Sequence, residues 1–157
     1  MKNKKLNLTK ITIGADHRGY KLKEKLKGLL KANGFTVKDA GTFSQEPCDY
    51  PKIAFKVGKD VASSKNRKGI LVCKTGIGDS IAANKVKGVR AALCYNKKAA
   101  RLSRQHNDAN ILVLGSDFVN EKSAKEIIDT WLKTEFEGGR HLRRISQIKN
   151  FEDNCCQ

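Results

Sequence analysis

Short apolar segments alternate with longer amphipathic segments along almost the whole chain, and this alternation is the strongest constraint on its fold. Five apolar runs have the length and residue types of β-strands, at residues 10–14, 35–40, 69–73, 89–93 and 110–114. Helices are predicted over residues 20–32, 51–63, 80–87, 97–105, 121–134 and 141–150, and apolar residues at helical spacing mark the first and the fifth of them. Strands that alternate with helices form a parallel sheet covered on both faces. The sequence therefore predicts an α/β fold, a Rossmann-like three-layer sandwich with a five-stranded parallel sheet and helices on both faces.

The length of the chain indicates one domain. A chain of 157 residues can bury one sizeable core, and no repeat or linker divides it. We therefore expect a single domain over residues 1–157, with flexible tails at 1–9 and 151–157. No stretch reaches the roughly 18–20 uninterrupted apolar residues of a membrane span. The basic start of the chain is not followed by the apolar segment of a signal peptide, so we expect a cytoplasmic protein with no membrane partner.

Basic residues outnumber acidic residues by two to one. The chain has 32 Lys and Arg against 16 Asp and Glu, which gives a formal net charge of +16. This excess is typical of a nucleic-acid binder, of a surface that attracts phosphorylated small molecules, or of a merely solvated surface. Aromatic residues are few and do not interleave with the basic ones, so no stacking platform for single strands is indicated. We therefore expect no nucleic-acid partner.

The segment from Gly69 to Lys85 is the richest in chemistry. Its apolar strand ends at Cys73, and a loop with Thr75, Gly76 and Gly78 leads into the next helix. In open parallel sheets ligands bind at this place, outside the carboxyl ends of the strands. Backbone N–H groups at the start of a helix attract an anion and lower the pKa of a nearby thiol. Cys73 is accordingly either a nucleophile or base, or an inert core thiol.

The sequence indicates neither a metal nor an organic cofactor. None of its cysteines forms a CxxC pair, and no histidine stands at zinc-finger spacing. The run Gly76-Ile77-Gly78 lacks the third glycine and the distal acidic residue of a dinucleotide-binding motif. We therefore expect neither a structural zinc site nor a dinucleotide cofactor.

Three polar motifs each admit a structural and a functional interpretation. Asp16 and His17 close the first strand, where the carboxylate would either cap a helix or orient a substrate. His106 ends a helix, where it would interact with the helix dipole or act as a general acid or base. Arg140 and Arg144 share one helix face, so they would either be solvated or grip one phosphate together.

Taken together, these motifs resemble the ribose-5-phosphate isomerase B family, which also includes galactose-6-phosphate isomerase subunits. The resemblance extends from about residue 11 to residue 148. It rests on five motifs, in the order Gly14-Ala-Asp-His17, Asp49-Tyr-Pro51, Cys73-Lys-Thr-Gly-Ile-Gly78 with Ile81-Ala-Ala-Asn-Lys85, Leu102-Ser-Arg-Gln-His-Asn-Asp108 and Gly138-Gly-Arg-His141. It implies interconversion of D-ribose 5-phosphate and D-ribulose 5-phosphate through an enediolate, in the non-oxidative pentose phosphate pathway and with no metal and no organic cofactor. It also implies a homodimer, or a dimer of dimers, with the site at the subunit interface.

The resemblance implies a role for each matched residue. Cys73 matches the base that moves a proton between C2 and C1. His106, expected from the neighbouring subunit, matches the residue that opens the sugar ring. Thr75 contributes its side chain to the loop that holds the enediolate oxygens. The residues matched to substrate binding are Asp16, His17, Tyr50, Lys74, Thr75, Gly76, Ile77, Gly78, Asn107, Arg140 and Arg144.

Three residues depart from the family pattern. Lys74 replaces a common glycine beside the thiol, where it would either lower the Cys73 pKa or point to solvent. Asp79 stands where a branch of the family without the cysteine carries a catalytic glutamate. It is therefore a second candidate base or a first-turn acid of a helix, and we expect Cys73 to be the base. Asp117 stands where relatives have a phosphate-binding arginine, so it reverses a charge near the anion site.

Two other functions stay open. The same chemistry would serve a hexose 6-phosphate, such as allose or galactose 6-phosphate, and relative turnover of pentose and hexose phosphates distinguishes these substrates. The +16 charge and Asp117 also suit a non-catalytic module that binds a phosphosugar or nucleic acid. Such a module would bind without turnover.

Overall fold

The structure, a computed structural model, describes residues 9–155 and contains one all-parallel sheet. Its strands are β1 (Lys10–Ala15), β2 (Thr36–Asp39), β3 (Arg67–Cys73), β4 (Ala91–Leu93) and β5 (Ile111–Gly115), in the spatial order β2-β1-β3-β5-β4. Its helices are α1 (Tyr20–Ala32), α2 (Tyr50–Ala62), α3 (Ile77–Ala83), α4 (Lys97–Asn107), α5 (Glu121–Lys133) and α6 (Arg140–Asn154). The predicted Rossmann-like three-layer sandwich is confirmed. No helix within residues 9–155 combines the length and apolar character needed to cross a membrane.

The helices divide between the two faces according to the direction in which the chain crosses the sheet. The chain steps from β1 outward to β2, crosses back past β1 to β3 and on to β4, and then returns to β5. Because crossovers between parallel strands are right-handed, steps in opposite directions place their helices on opposite faces. Accordingly α1, α4 and α5 pack on one face, and α2 and α3 pack on the other.

The central strands β3 and β5 are buried on both faces, as an all-parallel sheet requires. Ile70 and Val72 of β3 belong to the core under α1, α4 and α5, together with the fully buried Trp131. Leu71, between them, belongs to the core under α2 and α3. The buried apolar part of β3, residues 69–73, ends at Cys73, and the core on both faces fixes the position of that residue.

Helix α3 differs most from its predicted range of residues 80–87, since it begins at Ile77 and ends at Ala83. Gly76 precedes it at φ +83°, a backbone conformation that residues with side chains rarely adopt. Gly78 lies inside the helix, where a Cβ atom would come within 2.6 Å of the Tyr50 ring. The two glycines thus start the helix and let it pack against α2, whereas the sequence pattern assigns them to a loop.

Helix α6 extends beyond its predicted end at residue 150. It runs to Asn154, so residues 151–154, which the sequence assigns to a flexible tail, are helical. Glu152 accepts a hydrogen bond from the Gly88 N–H at 3.1 Å, and Asp153 pairs with Lys87 at 2.7 Å. These polar contacts hold a segment whose sequence has no apolar stripe strong enough to predict its packing. Of the other residues in the predicted tails, 1–8 and 156–157 lie outside the described residues.

Gly19 and Gly28 give a matched test of how tightly α1 approaches the sheet. A Cβ on Gly19 would lie 2.0 Å from the Val72 carbonyl oxygen, whereas a Cβ on Gly28 would meet nothing within 4 Å. We expect Gly19→Ala to lower the free energy of unfolding by about 2–3 kcal/mol, because backbone has to move. Gly28→Ala should raise it by roughly 0.5–1 kcal/mol, because alanine favours a helix interior. Urea unfolding followed by circular dichroism measures both, and equal stabilities would contradict the close approach.

Candidate active site

The carboxyl ends of β1, β3, β5 and β4 meet at one edge of the sheet, as the sequence predicts. Asp16 follows β1, Cys73 ends β3 and Gly115 ends β5. The Ser116 N–H donates to the Cys73 carbonyl oxygen at 2.8 Å, and the Tyr95 hydroxyl donates to the Thr75 carbonyl oxygen at 3.1 Å. The edge lies where the chain reverses between β1 and β3, which is where open α/β sheets bind ligands. We call the group Asp16, His17, Tyr50 and 73–79 the thiol site.

The loop after Cys73 is held between two close backbone approaches. On one side Gly19 lies against the Val72 carbonyl, and on the other side Gly115 lies so near the Thr75 carbonyl that a Cβ would come within 2.4 Å. Side chains at either glycine would displace the loop. The backbone around Cys73 and Thr75 is therefore positioned by packing, which is the kind of support that a reactive site requires.

Cys73 is a buried thiol whose sulfur accepts the Gly76 N–H at 3.1 Å. Burial, and then the negative charge of Asp79, raise the pKa of this thiol to about 11. Hydrogen bonds from the Gly76 and Asp79 backbone N–H groups act in the opposite direction, but they are weaker. The predicted lowering of the Cys73 pKa is therefore wrong, because desolvation and a neighbouring carboxylate outweigh two N–H groups at the start of a two-turn helix.

Asp79 points into the protein and not into solvent. It is 1% exposed, and neither carboxylate oxygen meets a nitrogen or oxygen donor within the described residues. Burial, and then the negative charge of Asp16, raise the pKa of Asp79 to about 7, while the neighbouring Cys73 thiol opposes this shift as a hydrogen-bond donor. The interpretation of Asp79 as an ordinary first-turn acid of a helix does not fit this environment, since such acids are solvated.

Asp16 and His17 combine the structural and functional interpretations. The Asp16 Oδ1 atom accepts the N–H groups of Arg18 at 3.0 Å and Gly19 at 2.9 Å, so the carboxylate orders the turn into α1. The His17 Nδ1 atom accepts the Cys48 N–H at 3.3 Å. A neutral histidine that accepts at Nδ1 carries its proton on Nε2, so His17 offers a donor to a ligand. The ring of Tyr50 packs on Gly78, in the helix that follows Cys73.

The Lys74 side chain extends to Asp117 in a half-exposed ion pair. The Lys74 Nζ atom lies 4.0 Å from the Asp117 Oδ2 atom, and both side chains are about half exposed. Of the two roles considered for Lys74, the structure favours the solvent-facing one. The positive charge of Lys74 thus offsets the negative charge that Asp117 places at the rim of the site.

A second polar group, which we call the His106 cluster, consists of His106, Asn107, Arg140, His141 and Arg144. The rings of His106 and His141 stack with centroids 4.2 Å apart and planes 9° apart. Burial, and then the positive charges of His106, Arg140 and Arg144, hold the pKa of His141 below its usual value. His141 has no role in the sequence-based prediction, although its place in the Gly138-Gly139-Arg140-His141 motif was a signal for one.

Within one chain the His106 cluster lies at the opposite edge of the sheet from the thiol site. Helix α4 returns from the carboxyl edge to the amino edge, and it ends at Asn107, directly before β5 begins at Ile111. The five residues of β5 span roughly 16 Å at the rise of an extended strand. The structure therefore brings together the predicted residues at 16–17, 50 and 73–79, and it separates them from those at 106–107, 140 and 144.

The His106 cluster shares two histidines with the one set of side chains that has metal-ligand character among the described residues. Candidate ligand atoms of His106, Glu137 and His141 all lie within 4.8 Å of one another. The positive charges of Arg140 and Arg144 also act on this set, since both lower the pKa of His141 after burial and the charge of His106. A cation is disfavoured beside them. The absence of a metal stays a prediction.

Comparison with known proteins identifies the family to which this chain belongs. Residues 11–148 match the family model described as Ribose/Galactose Isomerase. The chain therefore belongs to the ribose/galactose isomerase family, the family whose motifs the sequence resembles.

Within this family, the relatives described below are named ribose-5-phosphate isomerase B. Ribose-5-phosphate isomerase B of Escherichia coli (strain K12) is 46% identical over 145 residues, which cover 92% of this chain and 97% of that protein. The solved structure of Clostridium thermocellum ribose-5-phosphate isomerase B superposes with a TM-score of 0.91 at 51% identity, covering 93% of this chain and 99% of that one. The Mycoplasma genitalium enzyme of the same name, solved with bound ribulose 5-phosphate, has a TM-score of 0.89 at 46% identity, covering 92% and 97%.

The raised pKa of Asp79 predicts a pH-dependent stability. The folded value of about 7 lies above the usual 3.8, so folding favours the protonated form, and stability is lost as the pH rises from 4 to above 7. Asp79→Asn should match the wild type near pH 4 and exceed it at pH 8 by on the order of 4 kcal/mol. Denaturant unfolding at both pH values measures the difference. The exposed Asp49→Asn serves as the control, and a parallel pH dependence of wild type and Asp79→Asn would contradict the burial argument.

Proposed function

We propose that this protein is an aldose–ketose isomerase that interconverts D-ribose 5-phosphate and D-ribulose 5-phosphate. The observation that carries the proposal is the Cys73 thiol and the Asp79 carboxyl, held side by side at the carboxyl edge of the sheet in a member of the ribose/galactose isomerase family. Relatives that cover nearly the whole chain carry the name of this activity. The proposed place is the non-oxidative pentose phosphate pathway in the cytoplasm.

The proposed chemistry moves one proton between neighbouring carbons. Cys73, as a thiolate, takes the C2 proton of the open-chain aldose. The C–H electrons form the C1–C2 double bond of an enediolate, and the carbonyl electrons of C1 move onto O1. The O2 hydroxyl proton passes to O1, the same sulfur returns its proton to C1, and the double bond of the ketose forms between C2 and O2. A base within reach of this proton and a stabilised enediolate oxygen are the two requirements of the step. Asp79 is the second candidate for the base, since its pKa of about 7 suits proton transfer at neutral pH.

Polar groups around the thiol are suited to hold the sugar. The Thr75 Oγ1 atom accepts the Ile77 N–H at 3.3 Å, which leaves the hydroxyl proton to be donated to an enediolate oxygen. The Nε2–H group of His17 can donate to a sugar oxygen, and the Asp16 Oδ2 atom can accept from a sugar hydroxyl. In this arrangement Lys74 lies at the rim, where it attracts the phosphate.

We infer that a neighbouring subunit completes the site with its own His106 cluster. Ring opening by His106 and phosphate binding by Arg140 and Arg144 need those groups close to Cys73, and a single chain keeps them at opposite sheet edges. An apolar surface beside the thiol site suits a second copy. Ile77 and Ile81 lie one turn apart on α3. The rings of Tyr95 and Phe118 contact each other with centroids 4.8 Å apart. All four side chains are 40–59% exposed. Exposed apolar patches of this kind mark interaction sites.

Cys73→Ala tests the base and the reaction together. We expect the wild type to convert ribose 5-phosphate to ribulose 5-phosphate, and the variant to lose about 10²–10⁴-fold in kcat, the usual contribution of a general base. A coupled assay of ribulose 5-phosphate measures the conversion, and Cys155→Ala, at an exposed residue, is the matched control. A wild type that prefers allose or galactose 6-phosphate would change the substrate. A wild type that binds phosphosugars without turnover would refute the proposal that the protein is an enzyme.

Mixing two inactive variants tests the shared site. In a dimer of Cys73→Ala and His106→Ala chains, one site has both substitutions and the other has neither. Because half of the dimers in an equal, fully exchanged mixture are mixed, about a quarter of the sites should be intact. We therefore expect unfolding and refolding the two variants together to restore about a quarter of the wild-type rate. No recovery, with dimers formed, would show that Cys73 and His106 do not act at one shared site.

A further inference from the structure

The position of Asp79 has no structural explanation. Its carboxyl is 1% exposed without an N–H or O–H donor among the described residues, and a buried carboxylate of this kind costs several kcal/mol of stability. It does not cap α3, whose N-cap residue is Gly76 and has no side-chain bond. An apolar side chain would fill the same space at lower cost. The functional group next to this carboxyl is the Cys73 thiol, whose sulfur accepts the Asp79 backbone N–H. We therefore look to the thiol for the role of Asp79.

The charges around the pair oppose a free thiolate. Asp79 and Asp16 both place negative charge near the sulfur, and both raise the energy of its ionised form. The nearest candidate cation along the chain, Lys74, is directed to Asp117. Sending the thiol proton to solvent would therefore leave an additional negative charge in a buried, already negative site. Moving the proton to a neighbouring carboxylate keeps the total charge of the site unchanged.

We propose that Asp79 is the proton acceptor of Cys73, so that the two residues act as one acid–base pair in the isomerisation. In the first step the Sγ–H bond breaks and an Oδ–H bond forms, and the negative charge moves from the carboxylate to the sulfur. The thiolate then takes the C2 proton and returns it to C1. When the substrate leaves, the proton on Asp79 goes back to the sulfur, and the pair is restored without any other reactant. The catalytic role of the pair rests on the proposed function. The sharing of a proton between Cys73 and Asp79 does not depend on it.

The first experiment needs no substrate. The rate of iodoacetamide alkylation at Cys73 is measured against pH, with mass spectrometry of peptides to separate it from the other cysteines. Two coupled groups release their protons in two macroscopic steps. The wild type should therefore show a first rise in rate near pH 7, a plateau, and a second rise above pH 10. Asp79→Asn should show one step only, and the exposed Cys155 is a one-step control in the same samples. A single step near pH 11 for Cys73 in the wild type would overturn the proposal.

The second experiment separates proton transfer from simple charge repulsion. If Asp79 only repels the thiolate, Asp79→Asn makes the thiolate easier to form, and activity stays equal or rises. If Asp79 accepts the proton, the same variant loses about 10²-fold in kcat with little change in KM, because the interaction acts on the chemical step. The double variant with Cys73→Ala should then be no slower than Cys73→Ala alone.

Other outcomes have distinct meanings. An active Cys73→Ala together with an inactive Asp79→Asn would overturn the pair and make Asp79 the base. A wild type that isomerises no sugar phosphate but shows the two-step alkylation profile would refute the proposed function and retain the shared proton. Partial activity of Asp79→Glu would support proton transfer, since that residue keeps the carboxyl.

Discussion

All strands of the sheet run in the same direction, and the rest of the structure follows from this constraint. Each helix has to carry the chain from the carboxyl edge back to the amino edge before the next strand can begin. Residues that end strands, such as Cys73, therefore collect at one edge, and a residue that ends a returning helix, such as His106, lies at the other. The same sheet that builds the thiol site thus excludes the His106 cluster from it within one chain. A site that needs both groups has to be made from two chains.

The thiol site shows how burial can reverse an effect that local structure favours. Two N–H groups at the start of α3 stabilise a thiolate at Cys73, and taken alone they lower its pKa. Desolvation and the charge of Asp79 act more strongly, because the β3 end is covered by Gly19, Gly115 and the loops they support. The same burial keeps Asp79 partly protonated near neutral pH. The acid–base properties of the site therefore come from how it is packed, and its residue types alone do not determine them.

The sequence predicted the fold class, the strand-helix order and most helix bounds to within two residues, because the apolar periodicity of each segment is strong. The differences arise where short-range signals are weak or compete. Gly76 and Gly78 are typical of a loop, but tight packing against Tyr50 makes Gly78 part of α3. The last turn of α6 is polar and held by contacts to residues 87 and 88, more than sixty positions away. No local pattern contains such contacts.

For the site, the sequence by itself determined which chemistry is available: a thiol and a carboxyl after the third strand, an Asp-His pair after the first, and a separate His-Arg group. Residue types and strand ends are local properties, and they can be read along the chain. Only the tertiary structure decided which of these groups meet, that Asp79 is buried beside Cys73, and that Lys74 is directed to Asp117. Distance, burial and charge are set by residues from several strands and helices, and they exist only once the sheet has formed.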